Sequence, residues 1–137
     1  MPSQEIRHTV RFKASPEAIY TALMNSRAHA AFTGAPASVD PKVGGRFTAW
    51  GDYIEGINVE LVKNRRIVQA WRANTWPEAH YSIVCFELRP AKAGTTLVFT
   101  QTGIPAKHAK GIDAGWGAYY WEPLKTYFSK GKQPATE

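Results

Sequence analysis

IDAGWGAYYWEPLKTYF, residues 112–128, is the stretch whose reading decides the fold. Ile112, Trp116, Tyr119, Tyr120, Leu124, Tyr127 and Phe128 recur in it at helical spacing and make one almost wholly aromatic stripe. A helix this apolar needs a large concave surface to lie on, and the strand-like segments before it are the only partner the sequence offers. The spacing therefore predicts a curved sheet gripping a C-terminal helix that begins near Ile112 or Asp113. Pro123 falls inside the periodic stretch and removes one helical hydrogen bond, so a kink is expected there.

Upstream, the pattern supplies the sheet. Glu5 to Lys13 alternates, with Ile6, His8, Val10 and Phe12 on one face and Arg7, Thr9, Arg11 and Lys13 on the other, as a half-buried first strand does. Ser15-Pro16-Glu17 starts a short helix: a hydroxyl caps the first amides, proline fits the first turn, and the carboxylate suits the positive end. Its buried face carries Ile19, Tyr20, Leu23 and Met24. A second short helix is expected from Arg27 to Phe32, capped by Ser26 and ended by Thr33 and Gly34. Strands then follow at Arg46 to Trp50, Tyr53 to Val62, Arg66 to Arg72, His80 to Arg89 and Thr95 to Thr102, divided by Asp40-Pro41, Gly44-Gly45, Gly51-Asp52, Lys63-Asn64-Arg65, Pro90 and Gly94. Connections this short make neighbours antiparallel. Ser82, Val84, Phe86 and Leu88 face inward on one strand, and Leu97, Phe99 and Gln101 on the next. Gly103 to Gly111 reads as a loop, and Lys130 to Glu137 as a loosely held polar tail.

The order is one strand, two short helices, further strands and a long helix. It predicts an α+β helix-grip fold, with a curved antiparallel sheet of six to seven strands wrapped around the last helix. The 137 residues suit one domain, with its core at about 5–129. Five Trp, six Tyr and six Phe exceed what a small core needs, which asks for a cavity or an interface. Seventeen Lys and Arg against eleven Asp and Glu leave a net charge of +6, which favours acidic partners. The basic residues are scattered, apart from Lys63, Arg65 and Arg66. That cluster reads as a solvated hairpin end rather than a nucleic-acid patch, because no aromatic residues are interleaved with it. The single Cys85 permits no internal disulfide and fits a reducing, cytoplasmic compartment. Met1 to Phe12 lacks the apolar run of a signal peptide, and no run is long enough to span a membrane.

Four passages carry a resemblance to a known family. They are Ser15-Pro16-Glu17 with Tyr20; Ala31-Phe32-Thr33 through Ala35-Pro36-Ala37; Trp71-Arg72 with Trp76-Pro77-Glu78 and His80; and Gly103-Ile104-Pro105-Ala106 with Gly115-Trp116, Tyr119-Tyr120 and Leu124-Lys125. In this order and spacing the chain resembles the C-terminal domain of the activator of the heat-shock protein 90 ATPase. That family belongs to the START and Bet v-like helix-grip superfamily, and the likeness runs from about Ile6 to Lys130. The resemblance implies a non-enzymatic binding domain, a co-chaperone-like regulator whose partner is a heat-shock protein 90 type chaperone. The superfamily also hosts ligand carriers, cyclases and hydrolases on one scaffold, so the fold alone does not settle activity. The eukaryotic activator has an additional N-terminal domain with no counterpart in these residues.

Two groups of side chains are candidates for function. His8, Trp71, Phe99, Gln101, Trp116, Tyr119 and Tyr120 could line a cavity for a small hydrophobic molecule, with tyrosine hydroxyls as its polar anchors. Trp76, Glu78 and His80, in a link too long for a tight hairpin, could contact a protein together with Lys63, Arg65 and Arg66. The bland alternatives are core rings, a loop folded back on the sheet edge and a hydrogen-bonded core histidine. His8, His29, His80 and His108 show no HxxxH or HExxH spacing and Cys85 has no CxxC partner, so no metal or cofactor is expected. No GxSxG elbow exists, Gly44-Gly45 lacks a phosphate-loop frame, and Glu55 and Glu60, five apart on a strand, should point to opposite faces. An enzyme using His8 or a cavity tyrosine as acid or base remains the third reading. The chain is expected to bind neither nucleic acid nor membrane and to be a monomer or a weak dimer.

Overall fold

The computed structural model describes residues 4–129, and the expected tail from Lys130 to Glu137 lies outside them. Strand β1 (Gln4–Phe12) buries Ile6, Val10 and Phe12 and exposes Arg7, Thr9 and Arg11. Helix α1 (Pro16–Met24) begins where the Ser15 hydroxyl accepts the Ala18 amide at 3.1 Å, and it buries Ile19, Leu23 and Met24. Helix α2 (Ser26–Thr33) is capped by Asn25, whose Oδ1 accepts the Ala28 amide at 2.9 Å. The expected cap, Ser26, stands one residue inside and instead takes the Val39 amide at 2.7 Å. Asn and Ser cap equally well, so composition alone could not choose between neighbours. Gly34, at φ 78°, supplies the left-handed residue that ends α2.

Six further strands follow: β2 (Ala37–Val39), β3 (Arg46–Ala49), β4 (Ile54–Val62), β5 (Arg66–Ala73), β6 (Ser82–Ala91) and β7 (Gly94–Ile104). They form one seven-stranded sheet in the order β1-β7-β6-β5-β4-β3-β2, antiparallel at every pairing. The inward phases hold: Ser82, Val84, Phe86 and Leu88 are buried, and so are Leu97, Phe99 and Gln101. One phase breaks. A bulge between Asn58 and Glu60 leaves Val59 unpaired, so Glu60 faces Val68 and Glu55 faces Arg72 on the same side of the sheet. The two carboxylates thus share a face, contrary to simple alternation, and each is taken by its own arginine, Arg72 for Glu55 and Arg66 for Glu60.

The C-terminal helix starts earlier than its aromatic stripe. After a 3₁₀ turn (Ala106–His108), α3 (Ala109–Trp116) passes through Gly111, a residue that costs a helix about 1 kcal/mol but does not end it. A π turn (Gly117–Trp121) follows, in which the Glu122 amide donates to the Gly117 carbonyl five residues back, and α4 (Glu122–Ser129) completes the rod. The irregularity expected at Pro123 is therefore a widened turn just before it, where the missing N–H and the ring's bulk are accommodated. The turn also shifts the stripe. Trp116, Tyr120, Trp121, Leu124 and Phe128 are buried, with Trp116 and Trp121 stacked at 5.5 Å, whereas Tyr119 is 58% exposed.

Candidate functional site

Between α3 and the neighbouring end of the sheet lies an open cavity of about 680 Å³, within the ~300 to 1,000 Å³ typical of ligand sites. Its sheet side is Trp71 from the end of β5, Ile54 from the start of β4, and Trp50 and Tyr53 from the turn between β3 and β4. Its helix side is Ile112, Trp116, Tyr119 and Tyr120, with Lys107 and His108 from the 3₁₀ turn. The space exists because Gly111 and Gly115, four apart, bring no side chain to that face of α3. A Cβ added at Gly111 would meet nothing within 4 Å, and one at Gly115 would meet only the Tyr119 ring at 3.5 Å. Trp50 holds a left-handed backbone at φ 55°, a conformation a bulky residue adopts at a cost of about 1 to 3 kcal/mol. Its ring meets that of Tyr119 edge-on at 5.5 Å, joining the strand turn to the helix.

Of the residues singled out for the cavity, Trp71, Trp116, Tyr119 and Tyr120 stand in its wall. Phe99 and Gln101 lie behind it. The Trp116 indole N–H donates to Gln101 Oε1 at 2.8 Å, Gln101 Nε2 donates to the Ser82 hydroxyl at 2.9 Å, and that hydroxyl donates to the Trp71 carbonyl at 2.8 Å. This relay of bonds satisfies the Trp116 indole N–H and ties the ring to the Trp71 backbone. His8 does not reach the cavity. Its Nδ1 accepts the Trp121 indole N–H at 2.8 Å, so its proton sits on Nε2, 2.5 Å from Asp113 Oδ1.

Behind Tyr120 is a buried pair that the sequence reading left out. His29 Nδ1–H donates to the Leu23 carbonyl, which leaves Nε2 to accept the Tyr120 hydroxyl, each at 3.1 Å. Burial raises the Tyr120 pKa and lowers that of His29, with the Leu23 bond opposing the latter only in part. The unfolded chain therefore binds a proton at His29 more readily than the folded one. Stability from this site is complete above the ordinary value of 6.5 and is lost as pH falls below it toward the folded value. Urea midpoints should accordingly drop on acidification in this window, and the drop should be smaller in a His29→Gln variant.

Within the protein-contact group, Trp76 is not at the surface. Trp76 is only 4% exposed: its ring packs on Trp71 at 5.6 Å, His80 at 5.9 Å and His108 at 6.3 Å. Arg72 holds the loop over it, donating to the carbonyls of Trp76 and Pro77 at 3.1 Å and His80 at 3.3 Å. His80 Nε2–H in turn donates to the Gly103 carbonyl at 2.8 Å. Glu78 remains exposed, as do Lys63 and Arg65, while Arg66 is bound to Glu60 and Glu87. Trp50, Tyr53, Lys107 and His108 were missed. The glycine pair in the aromatic helix was the available signal for the cavity's location. Among the described residues no group of three or more potential ligands could hold a metal ion, and no helix is long and apolar enough to cross a membrane.

Residues 13–129 match the family model described as Activator of Hsp90 ATPase homolog 1-like protein. The chain is 31% identical over 131 residues to the Homo sapiens activator of 90 kDa heat shock protein ATPase homolog 1, covering 96% of this chain and 39% of that protein. It is 30% identical over 119 residues to the Dictyostelium discoideum homolog, covering 86% of this chain and 31% of the other. It thus spans well under half the length of these relatives. Among solved structures, an HSP90 activator from Plasmodium falciparum superposes with a TM-score of 0.83 at 28% identity, over 94% of this chain and 97% of that one. CalU16 from Micromonospora echinospora superposes with a TM-score of 0.78 at 19% identity, over 93% and 77% respectively, and shares the helix-grip fold.

Proposed function

We propose that this chain, which belongs to the Activator of Hsp90 ATPase homolog 1-like family, is a non-enzymatic binding domain that regulates an Hsp90-type ATPase by direct contact in the cytoplasm. One observation carries this reading: the likeness to the Plasmodium falciparum HSP90 activator extends over nearly the whole of both chains. With Trp76 buried, the surface suited to contact moves to exposed cations, Arg7 and Arg11 on edge strand β1 and Lys63 and Arg65 on the hairpin between β4 and β5. An excess of positive charge speeds encounter with an acidic partner more than it tightens the complex. Two of the groups considered as acid or base are committed elsewhere, His8 to Trp121 and Tyr120 to His29. The expected result is that adding the protein raises the steady-state turnover of an Hsp90-type ATPase, and that the effect weakens as salt screens the encounter. Absence of binding at low salt would sink the idea.

A second reading is favoured by a different observation, the open aromatic cavity of about 680 Å³. On this reading the domain carries or senses a small hydrophobic molecule, and it need not exclude the first.

A further inference from the structure

We propose that the cavity under the C-terminal helix binds a flat aromatic molecule bearing one acidic oxygen, a carboxylate or an ionisable phenol, with its ring among Trp50, Trp71 and Tyr119 and its oxygen at Lys107 and His108. This rests on the ligand reading of the cavity and adds the chemistry of what enters it. The shape comes first. Gly111 and Gly115 leave the helix face bare opposite indole and phenol rings, so the free volume is bounded by flat aromatic surfaces. Such surfaces favour a ring that can stack or meet them edge-on over a flexible chain of equal volume.

The charge is one-sided. Among the described residues, Lys107 is the only charged side chain in the wall and none there is a carboxylate, so an ammonium or a divalent cation would find no counter-charge among them. The polar anchors agree with it. His108 Nε2 is buried and has no hydrogen-bond partner, although unpartnered buried polar atoms are rare. The Trp76 ring packed against it at 6.3 Å likewise has its indole nitrogen buried and unpartnered. A lysine ammonium can only donate and an imidazole can present a proton, so this end of the wall asks for an acceptor. A carboxylate or phenolate oxygen is an acceptor with the matching charge, and charge-assisted bonds of this kind are the stronger sort.

Equilibrium dialysis of the whole chain at neutral pH and low salt, against naphthalene, 2-naphthoate and 2-naphthylmethylammonium in parallel, tests the assignment. The expected order is naphthoate tightest, by about tenfold over naphthalene, with the cation weakest. In Lys107→Glu and in His108→Leu the preference of naphthoate over naphthalene should shrink toward parity. In Gly111→Leu, where the new side chain enters open space and the glycine penalty on the helix is removed, all binding should be lost while the far-ultraviolet circular dichroism stays unchanged. Equal binding of naphthalene and naphthoate to the unaltered chain would overturn the acidic-oxygen proposal and leave the hydrophobic-carrier reading standing. Binding of none of the three would overturn both. Undiminished naphthoate binding in Lys107→Glu would overturn the anchor even if Gly111→Leu failed to fold.

Discussion

Replacing Arg72 with alanine should lower the free energy of unfolding by about 3 kcal/mol, a large share of the ~5 to 15 kcal/mol that a domain of this size has. Arg72 is 8% exposed, and its guanidinium reaches Glu55 at 2.8 Å as well as three carbonyls of the 74–81 loop. Removing one partner of a buried ion pair costs about 3 to 5 kcal/mol when the other is left dry. Glu55 keeps much of its surface in water, which places the expectation at the lower end of that range. The carbonyls add to the loss: those of Pro77 and His80 can turn to solvent, but that of Trp76 is buried with its ring. Arg72→Lys should recover less than half of the deficit, because a single ammonium cannot span the fork the guanidinium fills. Urea titration with an unchanged slope is the measurement, and a loss below about 1 kcal/mol would mean that the loop is held by Trp76 packing alone.

The same arginine shows why the fold was more legible than the site. Strand phases such as Val84, Phe86 and Leu88 follow from a two-residue period, which a sequence displays directly. The helix stripe was nearly as plain, but its phase assumed ordinary helical spacing apart from a kink at Pro123. A single π turn carried Trp121 inward, where its indole now bonds His8, and left Tyr119 at the surface. Trp76 was misjudged for another reason. Nothing local distinguishes a loop tryptophan that meets a partner from one folded inward. What decides its burial is the fold around it: Arg72, four residues earlier near the end of β5, donates to the carbonyl of Trp76 itself, and the ring packs on His108 from beyond β7. A cavity and part of its wall could be expected from the aromatic residues, but its exact position could not, because that is set by absence: sequence reading weighs side chains, whereas Gly111 and Gly115 contribute by having none, and Gly111 lies in a stretch that reads as a loop.

Trp116→Ala should be the most damaging single change, at about 5 kcal/mol. The ring is 3% exposed and lies against Phe99 at 4.3 Å, Tyr120 at 4.6 Å, Trp121 at 5.5 Å and Trp71 at 5.6 Å, so it joins the helix to the sheet at the centre of the grip. Truncating a buried tryptophan to alanine costs about 3 to 5 kcal/mol through lost contacts and the void left behind. Gln101 Oε1 would also lose its donor in a fully buried position, at a further ~1 to 3 kcal/mol unless water enters from the cavity next to it. The two contributions can be separated. Trp116→Phe keeps most of the apolar surface but not the N–H, and should cost about 2 kcal/mol. Adding Gln101→Leu to it removes the orphaned acceptor together with its donor, while Ser82 keeps its bond to the Trp71 carbonyl. The double variant should therefore be less unstable than the sum of its single changes, since each single change strands a polar group that the other removes. Strict additivity in urea unfolding would show that the Trp116–Gln101 bond contributes nothing, and that ring packing alone holds the helix in its sheet.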